Sequence, residues 1–309
     1  MMYHYLSTYL HSLHEIQATG ASVPETSYYG ALETLLNEIG KTLKPRVRCV
    51  INLANRGAGI PDGGLFTAEQ FQRGDAALLP GQLPTRGVIE VKPPSDDVTI
   101  IASSVQVTRY WSKYRQVLVT NYREFALLGT GANGAPVLLE RYRLSESETE
   151  FWVAAAKPNA TAALHGDRFS AYLKRVLLHA APLASAQDLA WFLGSYAREA
   201  RARVEQHAAL PALQQVREAL QQALGITFEA DRGAHFFQST LVQTLFYGVF
   251  AAWLLWHKAN PRRCDRFDWR TAQWWLRVPV ISTLFEQVGT PSKLGPLDLV
   301  EVLDWTATY

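Results

Sequence analysis

The sequence has little of what usually marks a functional class. Only two of its 309 residues are cysteines, Cys49 and Cys264. They are far apart and form no CxxC pair, which argues against a zinc site or a disulfide framework and favours a reducing compartment. The amino terminus has no basic segment followed by an apolar one, so no signal peptide is indicated and we expect a cytoplasmic protein. These absences leave the function to local patterns.

Charge and long apolar runs are also scarce. Charged residues make up 19% of the chain and the formal net charge is +2, too small to indicate nucleic-acid binding by composition. The most apolar stretch, 241–256, contains Gln243 and is shorter than the ~20 residues that a bilayer requires. We therefore predict a buried core helix there and no membrane partner. A hydrophobic content of 48% is enough for a sizeable core, and the length suggests two domains.

The first half of the chain alternates between helical and strand patterns. Apolar residues at helical spacing predict one helix near 5–16 and a second from a cap at Thr26 or Ser27 to Gly40. Short runs rich in Val, Ile and Leu predict six strands, at 46–52, 62–66, 87–92, 116–120, 124–129 and 136–144. A single helix is predicted between the third and fourth strands. This β-α-β unit indicates an α/β fold, a mixed sheet with helices against it.

The second half is predicted to be helical, at 168–180, 186–224 with a break at Pro211, 235–258 and 271–277. A turn at 157–167 is the best candidate for a domain boundary. We therefore predict an α/β domain over 1–160 and an all-helical domain over 161–309. The last segment has helical periodicity and stops without a cap, as a chain cut before a further domain would.

Chemically active residues are expected where two of the strands begin and end. Alternation places Glu90 and Lys92 on one face of their strand and Val91 on the other, in the core. Asp62, at the start of an earlier strand, can reach the same edge. Two carboxylates and the Val91 main-chain carbonyl are hard oxygen ligands that suit Mg²⁺, and the neighbouring Lys92 can orient or deprotonate a bound water. Such a site cleaves phosphodiesters.

Each of these features alone is weak, because an isolated Glu-x-Lys is more often a solvated cross-strand pair. Glu33, on the second helix, can project toward the sheet edge as a further acid or face solvent. Gln106 and Tyr110 are spaced i, i+4 and share one face of the helix that follows.

Taken in order, these elements resemble the PD-(D/E)xK nuclease superfamily over roughly residues 25–130. The matching residues are Glu33, Pro61-Asp62, Glu90-Val91-Lys92, and Gln106 with Tyr110 as a QxxxY motif. More narrowly, PETSYYGALETLLNEIG, AGIPDGGLF, GVIEVKPPSDD and VLVTNYREFALLG look like the amino-terminal region of fused bacterial restriction-modification polypeptides of the type IIG or single-polypeptide type I-like kind. There, nuclease, helical connector, adenine methyltransferase and target-recognition domain share one chain, and residues 161–309 resemble the connector.

The resemblance implies a role for each matched residue. Asp62 and Glu90 would hold Mg²⁺, Lys92 would position the attacking water and stabilise the developing charge, and Gln106 would orient water or DNA. Tyr110 would pack or contact a phosphate. Apart from the resemblance, the positive charges of Arg109 and Lys113 on the same helix predict contacts with the DNA backbone.

The resemblance also implies partners. Duplex DNA would be the substrate. Because one nuclease site cuts one strand at a time, a double-strand break requires a second active site or sequential nicking, and we predict a transient homodimer. No Asn/Asp-Pro-Pro-Tyr/Phe motif or glycine-rich cofactor loop follows, so methyltransferase and target-recognition domains, with S-adenosylmethionine as their cofactor, belong only to a longer chain. Two other functions stay open: a non-catalytic nuclease-fold scaffold that docks a methyltransferase, and a nuclease acting on RNA or single-stranded DNA, although no RNA-binding motif is evident.

Overall fold

The structure is a computed structural model, and it describes residues 4–55, 57–72, 77–131, 133–228, 233–261 and 266–308. The chain folds into two compact units, Met1–Pro182 and Leu183–Tyr309. The first unit contains the strands β1 (Val47–Ile51), β2 (Gly63–Thr67), β3 (Val88–Val91), β4 (Val117–Thr120), β5 (Glu124–Thr130) and β6 (Pro136–Arg143). Its helices are α1 (His4–Ala18), α2 (Tyr29–Gly40), α3 (Val98–Ala102), α4 (Val105–Tyr114), α5 (Glu148–Ala155) and α6 (Pro158–Leu178).

The strands of the first unit form one mixed sheet, as predicted. They lie in the order β1-β2-β3-β4-β5-β6, and within the described residues only β3 and β4 pair in parallel. Helices α3 and α4 make the crossover between those two strands, since a parallel connection needs a long excursion. The predicted α/β class with a helical region after it is confirmed.

Both faces of the sheet are covered. One face packs with α1, α2, α5 and α6 around side chains such as Leu65, Ile89, Val91 and Leu118. The other packs with α3 and α4 around Val88, Val117 and Val119. Ile89 and Val91 therefore point to one core and Val88 to the other, so Glu90 lies on the α4 side, as strand alternation predicted.

Two local predictions were wrong. The second helix has no cap at Thr26 or Ser27, because Thr26–Tyr28 form a 3₁₀ turn and α2 begins at Tyr29. The crossover is two helices and not one, because the Ser104 hydroxyl accepts a hydrogen bond from Val107 N and caps a new helix. At the end of α2, Gly40 is required for packing, since a Cβ there would lie 2.1 Å from the Val47 carbonyl oxygen.

Residues 158–167 belong to α6, with Lys157 as the residue before its first turn, so the predicted boundary turn is largely helix. Phe169, Tyr172, Leu173 and Val176 of this helix are buried in the same core as α1 and α2. The chain therefore divides after Pro182, rather than at residue 160. The apolar face of α6 requires the sheet and the amino-terminal helices for its burial.

The second unit is helical. Its helices are α7 (Ala186–Gln206), α8 (Pro211–Leu224), α9 (Gly233–Ala259), α10 (Ala272–Trp275), α11 (Pro279–Val288), α12 (Pro291–Leu294) and α13 (Leu299–Thr308). Pro211 opens α8, where the missing N–H costs nothing, so the predicted break is confirmed. Sequence periodicity missed α11 and α12. Both begin with a proline, which pattern reading treats as a break.

Helix α9 contains the apolar stretch. Leu241, Leu245, Val249 and Ala252 form its buried face within the second unit. By length and composition it is also long and apolar enough to cross a membrane, and 39% of its most apolar part is buried. The core helix of a soluble protein can have the same length and composition. The absence of a membrane partner stays a prediction.

Candidate active site

The two predicted carboxylates meet across neighbouring strands. Strand β2 pairs antiparallel with β3, with Gly63 opposite Ile89 and Gly64 opposite Val88. Asp62 comes directly before Gly63, and Glu90 comes directly after Ile89, so both acids lie at the same end of this paired segment. The Val91 N–H donates to Asp62 and the Asp62 charge acts on Glu90, so the pairing brings together two acids that are 28 positions apart in sequence.

Asp62 is held by a donor on each of its carboxylate oxygens. Tyr29 Oη donates to Asp62 Oδ1 at 2.7 Å. The main-chain N–H of Val91 donates to Asp62 Oδ2 at 2.8 Å. One donor comes from the first residue of α2 and the other from the end of β3, so the orientation of the half-buried carboxylate is fixed by two elements.

Glu90 and Lys92 form a close ion pair at the end of β3. Lys92 Nζ lies 2.7 Å from Glu90 Oε1 and donates to the Val91 carbonyl oxygen at 2.9 Å. Glu90 is 1% exposed, whereas the Lys92 side chain is 28% exposed. Among the described residues, Glu90 Oε2 has no hydrogen-bond partner although it is buried. A buried carboxylate oxygen without a donor is costly, so this atom marks a place for a ligand.

The environment shifts the ionisation of both groups. Burial raises the pKa of Glu90 to about 7, with Asp62 adding to the shift and the Lys92 ammonium opposing it. For Lys92, burial favours the neutral amine, but the hydrogen bond to Glu90 and the carboxylates of Glu90, Glu25 and Asp62 outweigh it and raise the pKa. Lys92 therefore stays an ammonium at neutral pH.

Gln106 and Tyr110 support the loop that leads into Asp62. Tyr110 is buried, and its hydroxyl donates to the Ile60 carbonyl oxygen at 2.9 Å. Gln106 Nε2 donates to Tyr110 Oη at 3.0 Å. The φ of Gly59 is +108°, and a Cβ there would lie 3.3 Å from the Tyr110 ring. In this arrangement the Tyr110 hydroxyl holds the main chain two residues before Asp62 and is not presented to solvent.

A third acid, Glu25 from the amino-terminal region, lies close to Lys92 and Tyr29. The sequence patterns do not reveal it. Glu25 Oε2 lies 3.8 Å from Lys92 Nζ, and Glu25 Oε1 lies 3.4 Å from Tyr29 Oη. Glu33 is half-buried on α2, and its charge acts on the thiol of Cys49. None of the described hydrogen bonds or ion pairs joins Glu33 to Asp62, Glu90 or Lys92.

Tyr29 was missed as well. It lies one helical turn before Glu33 on the same face, and that i, i+4 relation is the signal in the sequence that could have found it. Burial first, and then the hydrogen bond and charge of Asp62, raise the pKa of Tyr29, so its phenol stays neutral and able to donate.

The predicted DNA contacts differ in exposure. On α4, Arg109 is exposed, whereas Lys113 is half-buried. Lys113 lies beside the Asp62 loop, since a Cβ on Gly57 would lie 3.1 Å from its Nζ. Of the two cysteines, Cys49 is buried and free, and Cys264 lies outside the described residues.

No group of three or more His, Cys, Asp or Glu side chains is placed to hold a metal ion among the described residues. The predicted metal ligands at this site are two carboxylates and a main-chain carbonyl. They include only two side chains, whereas such a group requires three. Mg²⁺ itself commonly binds proteins through one or two carboxylates and keeps several waters.

Comparison with known proteins adds little to this geometry. No protein-family model matches the chain, and no curated protein does. Among solved structures, the chain is similar to one described as a cryoEM structure of a DrdV–DNA complex, with a TM-score of 0.34 and 16% sequence identity. The similarity covers 97% of this chain and 26% of that one, so this chain spans about a quarter of its length. A TM-score this low carries no inference about activity.

Proposed function

We propose that the chain is a Mg²⁺-dependent endonuclease of the PD-(D/E)xK kind that hydrolyses phosphodiester bonds of duplex DNA. The observation that carries the proposal is the convergence of Asp62, Glu90, the Val91 carbonyl and Lys92 where β2 begins and β3 ends. Two acids, a carbonyl and an ammonium at one point are the groups that metal-assisted phosphodiester hydrolysis requires.

The residues present fit a Mg²⁺ ion. Asp62, Glu90 and the Val91 carbonyl would hold it, and the buried Glu90 Oε2, which lacks a hydrogen-bond partner among the described residues, supports a ligand at this place. When bound, Mg²⁺ supplies a water of lowered pKa and charge stabilisation for the phosphoryl oxygens. A positive charge there would also favour the ionised form of Glu90, whose pKa burial otherwise raises to about 7.

The roles of the protein groups follow from their charge. Lys92 stays protonated, so it acts as a hydrogen-bond donor that orients the attacking water and neutralises charge on the phosphorane, and not as the general base. The water oxygen bonds to phosphorus and gives up its proton to solvent, the opposite P–O bond breaks, and the leaving oxygen takes a proton from solvent. Gln106 and Tyr110 keep the Asp62 loop in place, and Arg109 and Lys113 on α4 meet the phosphates.

A second candidate is a non-catalytic scaffold of the same fold that docks a methyltransferase. It is favoured by the absence, among the described residues, of any group of three metal-ligating side chains. In such a scaffold the Lys92–Glu90 pair is structural, with the ammonium as the permanent cation of the cluster. The two candidates predict opposite results for the same measurement.

That measurement is nicking of supercoiled plasmid with Mg²⁺ or with chelator, by wild type and Lys92→Ala. Lys41→Ala is the matched control, since Lys41 is an exposed lysine paired with Glu38 outside the site. Metal-dependent nicking that Lys92→Ala abolishes and Lys41→Ala retains supports the nuclease. Equal inactivity of all three proteins, with duplex binding intact, supports the scaffold. The same assay with single-stranded DNA and with RNA tests the remaining alternative, a nuclease that acts on those substrates. A cleavage rate that is second order in enzyme supports a transient homodimer.

A further inference from the structure

The two hydrogen bonds to Asp62 come from different kinds of donor, one from the main chain and one from a side chain. The Val91 N–H belongs to the main chain and is present whatever side chains surround it. The Tyr29 hydroxyl is the side-chain donor to Asp62 and reaches Oδ1 at 2.7 Å. A carboxylate oxygen has more than one lone-pair site, so Oδ1 can accept this bond and still face a cation.

The placement of Tyr29 is fixed by hydrogen bonds to the segment that leads into it. The Tyr122 hydroxyl, in the turn between β4 and β5, donates to the Glu25 main-chain carbonyl. The Tyr122 carbonyl in turn accepts from Tyr9 Oη of α1 at 2.9 Å. Tyr9 and Tyr122 are buried, at 2% exposure or less. The segment from Glu25 to Tyr29 is therefore tied to the buried turn between β4 and β5, and the Tyr29 hydroxyl reaches Asp62 from a rigid support.

We propose that Tyr29 is a positioning residue of the metal site, which holds the Asp62 carboxylate in the orientation that Mg²⁺ requires. This inference rests on the proposed function and adds a residue that the sequence motifs do not include. Without the hydroxyl, the carboxylate keeps one fixed donor and gains rotational freedom that binding must remove. Loss of a hydrogen-bond partner of a metal ligand typically weakens metal affinity by about 10- to 100-fold.

The test is isothermal titration calorimetry of the whole chain with Mg²⁺, comparing wild type, Tyr29→Phe and Asp62→Asn. Tyr28→Phe is the matched control, because it removes a neighbouring hydroxyl that contacts Ser22 Oγ at 3.1 Å and not the acids. We expect Tyr29→Phe to weaken Mg²⁺ binding about 10- to 100-fold and Tyr28→Phe to leave it unchanged. Unchanged or tighter binding by Tyr29→Phe, while Asp62→Asn loses it, overturns the role of Tyr29 and leaves the proposed function intact.

A second readout needs no metal. In chelator, the loss of stability caused by Tyr29→Phe is measured by urea unfolding, first in wild type and then in an Asp62→Ala background. If Tyr29 acts on Asp62, the loss seen in wild type disappears in that background. An equal loss in both backgrounds overturns the inference, since the hydroxyl would then stabilise something else. Failure of wild type to bind Mg²⁺ overturns the metal site and with it the proposed function, and the unfolding result then still decides whether Tyr29 positions Asp62.

Discussion

Glu90→Gln should stabilise the protein at pH 8 while it abolishes cleavage. The Glu90 side chain is 1% exposed, and one carboxylate oxygen faces Lys92 while the other is buried with no hydrogen-bond partner among the described residues. An ionised carboxylate in such a place costs free energy that a neutral amide of the same shape does not. Under the proposed function, the site therefore holds a charge that metal binding requires and folding opposes.

The pKa gives the magnitude and the sign. Burial raises the pKa of Glu90 from 4.5 to about 7. The folded state thus binds this proton more tightly than the unfolded state, and the free energy of unfolding falls as pH rises from 4.5 to about 7. At ~1.36 kcal/mol per pKa unit, this difference amounts to roughly 3 kcal/mol above pH 7 and to nothing below about pH 4. Glu90→Gln removes this cost, so its stabilisation should grow over the same pH range.

The assay is urea unfolding of wild type and Glu90→Gln in chelator between pH 4 and 8. Glu140→Gln is the contrasting variant, because Glu140 is equally buried but lies 2.9 Å from Arg175 Nη2 and accepts from its Nε at 3.0 Å. Removing that anion should destabilise the fold by about 3–5 kcal/mol. A Glu90→Gln protein that is no more stable than wild type at pH 8, or that gains the same amount at pH 4, would refute the reasoning.

Three further outcomes are expected. Lys92→Met should lower the free energy of unfolding by about 1–3 kcal/mol at pH 8, because it leaves the buried Glu90 carboxylate without its cation. The loss should be smaller at pH 5, where Glu90 is protonated, and urea unfolding at both pH values measures the difference. Gly59→Ala should cost about 1–3 kcal/mol, because its φ is +108° and its Cβ would meet the Tyr110 ring, and an unchanged melting temperature would contradict this. Arg109→Ala and Lys113→Ala should each reduce the salt dependence of duplex binding by about one unit of slope, measured by fluorescence anisotropy, with an unchanged slope counting against a phosphate contact.

Much of the sheet and part of the site could be predicted from local patterns. The six strands are recognisable because each contains a short apolar run. A strand that is buried on both faces shows such a run by itself, without knowledge of the strands that it pairs with. Alternation along β3 was enough to separate Glu90 from Val91. The ends of helices were less accessible, because a cap such as Ser104 lies within an otherwise continuous helical pattern.

The sequence by itself determined the strands, the α/β class, and the presence of two acids and a lysine at strand ends, since these depend on neighbours a few residues away. Only the tertiary structure decided that Asp62 lies beside Glu90, because strand register is set by pairing between distant segments. It also decided that Glu25 and Tyr29 join the site, and that α6 belongs to the first unit. Those contacts arise from where the sheet brings separate segments together, and the spacing of Tyr29 from Glu33 places Tyr29 on a helix face without showing that it reaches Asp62.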